Sequence, residues 1–244
     1  MARYTWGPSL WYKSYPIAQG SRQSPIDIIS TQAMFDPSLK PLNISYGSDS
    51  SLGISNNGHS VMVDFKDIDD KTVPAISGGP LENPYRLKQF HFHWGTSQKS
   101  GSEHIINGKS FPCELHLVHW NAKKYTTFGE AVAAPDGLAV IGVFLEVRTS
   151  ASCILENQLS FNPSTLLPPS KKYWTYAGSL TTPPLHESVT WIVLKEAIQI
   201  SEKQMEKFRS LLFTTEEDEK IPMVNNFRPP QPLKGRVIRA SFKV

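Results

Sequence analysis

Two short segments constrain this chain more than anything else in it. Gln89-Phe90-His91-Phe92-His93-Trp94 alternates polar and aromatic residues one for one. A period of two belongs to a β-strand, whose successive side chains point to opposite faces. His91 and His93 then share one face, while Phe90, Phe92 and Trp94 turn the other way into apolar packing. Glu114-Leu115-His116-Leu117-Val118-His119-Trp120 obeys the same rule. Glu114, His116 and Val118 fall on one face, and Leu115, Leu117 and His119 on the other. Five of the seven histidines lie between His91 and His119, a window in which an even spread over 244 residues places fewer than one.

A lone strand histidine is usually a core or surface residue. The weight here comes from a His-x-His pair with a third histidine on a second strand-like segment. If the two strands are neighbours, His91, His93 and His116 offer three neutral nitrogens to one metal. Three histidines leave one tetrahedral position open on Zn²⁺, the pattern of a catalytic rather than a structural site. His119 faces away and is expected to serve structure. His104, in Gly101-Ser102-Glu103-His104, reads as a loop residue, and spacing assigns nothing to His186.

The rest of the chain reads as one β-rich domain. Short alternating segments such as Ser60–Phe65 and Val189–Leu194 have strand period. Leu138–Leu145 is nearly all apolar, as in a strand covered on both faces. Nineteen prolines and fifteen glycines are spread throughout, without a linker or repeat. One helix is expected from Glu202 to Leu212, capped by Ser201, with Met205, Phe208 and Leu212 at helical spacing.

Composition excludes several classes. No apolar run approaches the roughly 20 residues of a membrane span. The net charge is +3, and no Lys/Arg block of five occurs, so no nucleic-acid partner is expected. Glu216–Lys220 reads as an exposed loop. Cys113 and Cys153 make neither a disulfide framework nor a Cys-x-x-Cys motif, which suits free thiols in a reducing compartment. The start, Met1–Pro8, carries no apolar secretory region. A cytoplasmic protein is expected, or a mitochondrial one if a presequence has been removed.

The ordered motifs identify a family. Gln23–Ile28, Asn56–Ser60, Gly78–Leu81, Gln89–Gly95, Gly101–His104, Glu114–Trp120, Tyr173–Tyr176, Gly178–Pro184 and Asn226–Pro229 run nearly end to end. In them the chain resembles the α-class carbonic anhydrases, most closely the cytosolic and mitochondrial vertebrate-type members. The resemblance implies a single domain over residues 1–244, mostly β with short helices. Its core would be a large twisted, mainly antiparallel sheet with a conical active-site cleft. It implies zinc-dependent reversible hydration of carbon dioxide to bicarbonate and a proton, by attack of zinc-bound hydroxide on CO2. The partners are then CO2, water and bicarbonate, and a monomer without nucleic acid or membrane is expected.

Site roles follow from the same resemblance. His91, His93 and His116 match the zinc ligands. Thr181 matches the hydroxyl that accepts a hydrogen bond from the hydroxide and donates its own to Glu103, and Thr182 matches a polar neighbour that contacts bicarbonate. Gln89, the Asn226 carbonyl and Glu114 match the partners of His91, His93 and His116. Val118, Val140, Leu180, Val189 and Trp191 match an apolar wall for CO2, though by spacing alone they read as strand core. His59 matches the proton shuttle, and Asn57 a residue that orders the connecting waters. Met62 and His186 match variable cleft positions.

Two departures stand out. The Trp-Gly-Tyr segment usual near the start has no clear match after Trp6-Gly7, although Tyr4 is nearby. The segment Glu146–Ser160 is shorter than the family pattern by about fifteen residues, the size of a helix and a turn. The alternatives of a non-catalytic relative and of a zinc hydrolase for esters fit less well. All three metal histidines are present, and the small apolar wall with the Glu103–Thr181 pair suits CO2.

Overall fold

The computed structural model describes residues 7–47, 50–69, 71–148 and 161–243. Tyr4, Trp6, Cys153 and most of the shortened segment lie outside these residues. Fourteen strands occur among the described residues. The first seven are β1 (Asp27–Ile28), β2 (Met34–Phe35), β3 (Leu42–Ser45), β4 (Ser51–Asn56), β5 (Val61–Phe65), β6 (Ala75–Gly78) and β7 (Tyr85–Trp94). The others are β8 (Ile105–Ile106), β9 (Cys113–Trp120), β10 (Leu138–Val147), β11 (Tyr173–Gly178), β12 (Val189–Leu194), β13 (Ile198–Ile200) and β14 (Arg239–Ala240). Two α-helices accompany them, α1 (Phe128–Val132) and α2 (Glu202–Arg209).

Twelve strands form one sheet, in the order β2-β14-β11-β12-β10-β9-β7-β5-β4, with β13 beside β10 and β6 joining β7 to β3. Its pairings are antiparallel except β10 with β12, β10 with β13 and β14 with β2. The mainly antiparallel, β-rich expectation holds. No helix among the described residues is long and apolar enough to cross a membrane.

The central strands are covered on both faces, and their side chains divide by parity. In β10, Ala139, Ile141, Val143 and Leu145 join one core, while Leu138, Val140 and Phe144 join the other. In β12, Ile192 and Leu194 join the first, and Val189, Trp191 and Val193 the second. Phe90, Phe92 and Trp94 also enter the first core, as their alternation predicts. Phe92 and Trp94 each pack a ring 4.9 Å from Phe208 of α2. Losing either aromatic would cost about 3–5 kcal/mol.

One feature of β7 is not visible in its alternation. A bulge lies between Leu87 and Gln89, which pair with His119 and Val118 of β9. The extra residue, Lys88, shifts the phase of the strand. Tyr85 and Leu87 therefore enter the same core as Phe90, Phe92 and Trp94. Gln89, His91 and His93 are left together on the opposite face.

The helix after Ser201 is shorter than expected. It carries a capping box: Ser201 Oγ accepts the Gln204 N–H at 3.2 Å and Gln204 Oε1 accepts the Ser201 N–H at 3.0 Å. It stops at Arg209 rather than Leu212. The Leu211 carbonyl takes the Met223 N–H at 2.6 Å, and Leu212 bridges to Pro222. These long-range bonds outbid another helical turn. Ser201→Ala is expected to lower stability by about 1 kcal/mol, read as a lower urea midpoint with an unchanged slope. An unmoved midpoint would show that the cap contributes nothing.

Candidate metal centre

The two histidine segments are neighbours. β7 and β9 pair antiparallel with His91 directly opposite His116. His93 is two residues along β7 on the same face, so the three rings converge, with centroids 4.6–5.3 Å apart. One nitrogen from each lies within 4.8 Å of the others.

Each ring's remaining nitrogen is held. His91 Nδ1–H donates to Gln89 Oε1 at 2.8 Å, and His93 Nδ1–H to the Asn226 carbonyl at 2.7 Å. His116 Nε2–H donates to Glu114 Oε1 at 2.8 Å. These bonds set which nitrogen faces inward: Nε2 of His91, Nε2 of His93 and Nδ1 of His116. His93 Nε2 is buried and has no hydrogen-bond partner among the described residues. Burial, with the neighbouring imidazoles His93 and His116, holds His91 well below its ordinary pKa. Burial also lowers His93, with Glu103 opposing. Both rings are therefore neutral and present lone pairs. An all-imidazole donor set of this kind suits zinc and not calcium or magnesium.

A second grouping, His104, Glu114 and His116, is equally close but is not a ligand set. Glu114 Oε2 accepts the backbone N–H groups of Glu103 and His104, each at 2.8 Å. Its Oε1 takes His104 Nδ1–H at 2.7 Å besides His116. All four acceptor positions of this buried carboxylate are used. Burial pushes Glu114 up, but His104 and His116 more than offset it and hold it well below the usual carboxylate range.

The triad sits at the base of a cleft of about 720 Å³. His91, His93, Gln89, Glu103, Thr181 and Thr182 line it, and so do His59, Asn57, Met62 and Asn226. His116 and Glu114 lie behind, fully buried. Asn57 Oδ1 folds the rim by accepting the N–H groups of His59 and Ser60 at 2.9 and 2.8 Å. Asn226 joins rim and base, because its Nδ2 donates to the His59 carbonyl at 2.9 Å and its Oδ1 accepts the Trp94 N–H at 2.8 Å.

Three expectations are corrected. The Thr181-to-Glu103 hydrogen bond is not formed. Glu103 Oε1 accepts the Arg228 N–H at 2.8 Å, while Oε2 makes no hydrogen bond among the described residues. That oxygen instead points at the imidazoles, 3.4 Å from His93 Nε2 and 3.8 Å from His116 Nδ1. Val118, Val140, Leu180, Val189 and Trp191 are absent from the lining of the open cleft. They pack against one another on the His116 side of the sheet, because central strands covered on both faces close over such side chains. His186 is also outside the lining; its carbonyl closes the loop by accepting the Leu180 N–H at 3.0 Å. His119 is structural as expected, buried in a stack with Tyr46.

Two contributors were not foreseen. His104 is fully buried and braces Glu114, although it sits in a loop. Arg228 braces Glu103 through its backbone, and its guanidinium donates to Gln23 Oε1 and the Ser24 carbonyl, each at 2.8 Å. The Gly-Ser-Glu-His and Asn-Phe-Arg-Pro motifs flagged both stretches, but not these contacts.

The family model for eukaryotic-type carbonic anhydrases matches residues 6–242. The chain belongs to that family. Among its relatives are the proteins named carbonic anhydrase 7 of Mus musculus and Homo sapiens, each 67% identical over 252 aligned positions. Each alignment covers 97% of this chain and 95% of the relative. An alignment of 252 positions over 97% of 244 residues leaves about fifteen positions where the relatives have a residue and this chain has none. That equals the deficit expected between Glu146 and Ser160. As a carbonic anhydrase the chain catalyses reversible hydration of CO2 and uses zinc as its cofactor.

Proposed function

We propose that His91, His93 and His116 hold the catalytic zinc, and that Glu103, Thr181 and His59 carry the chemistry around it. The carrying observation is the convergence of three inward nitrogens, each fixed by a partner on its other nitrogen. When bound, zinc supplies a water whose pKa is lowered to about 7, the value established for carbonic anhydrases.

The chain's own groups do the rest. Gln89, Asn226 and Glu114 keep the rings in one tautomer and orientation. Thr181, at the floor of the cleft, offers its hydroxyl for orientation and its backbone N–H to the developing negative charge. Glu103, held by Arg228, keeps its carboxylate beside the imidazoles of His93 and His116. Thr182, which also lines the cleft, offers its hydroxyl to bicarbonate. The core of Val118, Val140, Leu180, Val189 and Trp191 supports His116 from behind, through the Trp191 ring 4.8 Å from it.

His59 takes the proton outward from the rim, with Asn57 shaping its loop. Desolvation lowers His59 below its ordinary 6.5, so it is neutral and ready to accept at pH 7. His59→Ala is expected to lower proton-transfer-limited turnover in weak buffer by about tenfold or more, with recovery in added imidazole. Unchanged turnover would remove His59 from the mechanism.

We also propose a monomeric cytoplasmic enzyme of one domain over residues 1–244, without nucleic-acid or membrane partners. The mixed surface charge and the run of the family motifs support this. The deciding experiment for the site is stopped-flow CO2 hydration with stoichiometric zinc and after chelation. Acceleration that vanishes on chelation and returns with zinc is expected; none with zinc would sink the assignment.

A further inference from the structure

The hydrogen bonds around Glu114 do not end at His104. His104 Nε2 meets the Tyr176 hydroxyl at 2.6 Å, and that hydroxyl is hydrogen-bonded to Ser24 Oγ at 2.9 Å. Ser24 Oγ accepts the Ser179 N–H at 3.0 Å, and Ser179 Oγ accepts the Ser24 N–H at 2.9 Å. The Ser179 hydroxyl donates to the Leu180 carbonyl at 2.8 Å. Leu180 immediately precedes Thr181. Every side chain from Glu114 to Ser179 in this series is at most 3% exposed.

One continuous buried series therefore links His116 to the loop that carries Thr181. Away from water each such bond is stronger, and a donor or acceptor left without its partner is costly. The Glu114 carboxylate cannot rotate without breaking its bond to His104, and His104 cannot follow without leaving Tyr176. Packing does not require the Tyr176 oxygen, since a phenylalanine ring would fill the same apolar surroundings. The oxygen is needed only to join His104 to Ser24.

We propose that Tyr176 is a positioning residue for the zinc centre. With Ser24 it fixes His104, and through Glu114 it fixes which nitrogen His116 presents, while the same series anchors the Thr181 loop. The inference rests on the assignment of His116 as a zinc ligand.

The test is Tyr176→Phe in the full-length zinc-loaded protein. Zinc release to excess chelator is expected to speed up about tenfold, the lower end of what loss of a ligand's supporting partner causes. The imidazole N–H proton signals of His104 and His116 are expected to shift or broaden. CO2 hydration should lose kcat with KM nearly unchanged. If only the melting temperature moves, and release rate and imidazole signals match wild type, Tyr176 merely packs and the proposal is overturned. If Tyr176→Phe does not fold, Ser24→Ala cuts the series at its far end and should speed zinc release in the same direction by a smaller factor; no change there overturns it too. His116→Ala serves as the control. Retention of one zinc by that variant would remove the ligand assignment itself. Its loss, with an unaltered Tyr176→Phe, would remove the positioning role alone.

Discussion

His93→Ala is expected to abolish stoichiometric zinc binding and to lower CO2 hydration by about a thousandfold or more, the scale set by losing the metal that activates water. His93 is tightly held. It is 2% exposed, its Nδ1 is tied to the Asn226 carbonyl, and its Nε2 faces the centre without a partner. Removing it leaves two nitrogens and a void beside Glu103. A water admitted there could hydrogen-bond Glu103 but could not replace an imidazole ligand. Metal analysis and stopped-flow hydration read the two effects separately, and thermal unfolding checks that the fold survives. One zinc per chain with hydration within tenfold of wild type would overturn the role given to His93.

The second large effect is acid sensitivity. His119 Nδ1–H donates to the Ala139 carbonyl at 3.1 Å, so its Nε2 must accept the Tyr46 hydroxyl proton at 2.5 Å. A ring so placed has no room for a second proton, and burial pushes its pKa down to about 3. In the unfolded chain it titrates near 6.5. Above that value both states are neutral, and the group does not affect stability. Between about 6.5 and 3 the unfolded chain binds a proton that the folded one refuses. Stability then falls with pH by about 1.4 kcal/mol per unit from this residue alone. Over the whole window that is about 4–5 kcal/mol, against a typical total of about 5–15. His91 and His93 are depressed by burial and add in the same direction. Glu114 adds again below its unfolded pKa, because the folded carboxylate stays ionised. The urea midpoint is expected to fall steadily from pH 7 to pH 4.5. His119→Gln can keep both hydrogen bonds without a titrating ring. It should flatten that slope by about one proton, or about 1.4 kcal/mol per pH unit. An identical slope in the variant would show that His119 is not held neutral by the fold.

Both effects turn on which nitrogen of a histidine is engaged, and that marks how far the chain could be read from its residues. Alternation in Gln89–Trp94 sorted His91 and His93 from Phe90, Phe92 and Trp94, and the structure keeps that division. It did not show the bulge at Lys88, because a bulge depends on the partner strand rather than on the bulged residues. The cap at Ser201 was legible, since a capping side chain and the helix it starts are neighbours along the chain. The end of α2 was not, because Met223 and Pro222 decide it from outside the helix. Glu103 and Thr181 line one cleft, but the side chain of Glu103 turns toward the imidazoles. Tyr176 fell within the Tyr173–Tyr176 motif, but nothing local signalled its contacts; its neighbours His104 and Ser24 are 72 and 152 residues away.

The sequence by itself determined the strand periods, the face each histidine takes on its own strand, the start of the helix after Ser201 and the family. These are properties of nearest neighbours along the chain, or of motifs in order, and a period of two needs no partner to be recognised. Only the tertiary structure decided that His91 lies opposite His116, that their inward nitrogens are Nε2 and Nδ1, and that one buried series of hydrogen bonds continues to Tyr176 and the Thr181 loop. Those outcomes depend on which distant strands pair and on where buried polar groups find partners. Once water is excluded each such group must find one within the fold, and that requirement is met across the whole molecule rather than along any one segment.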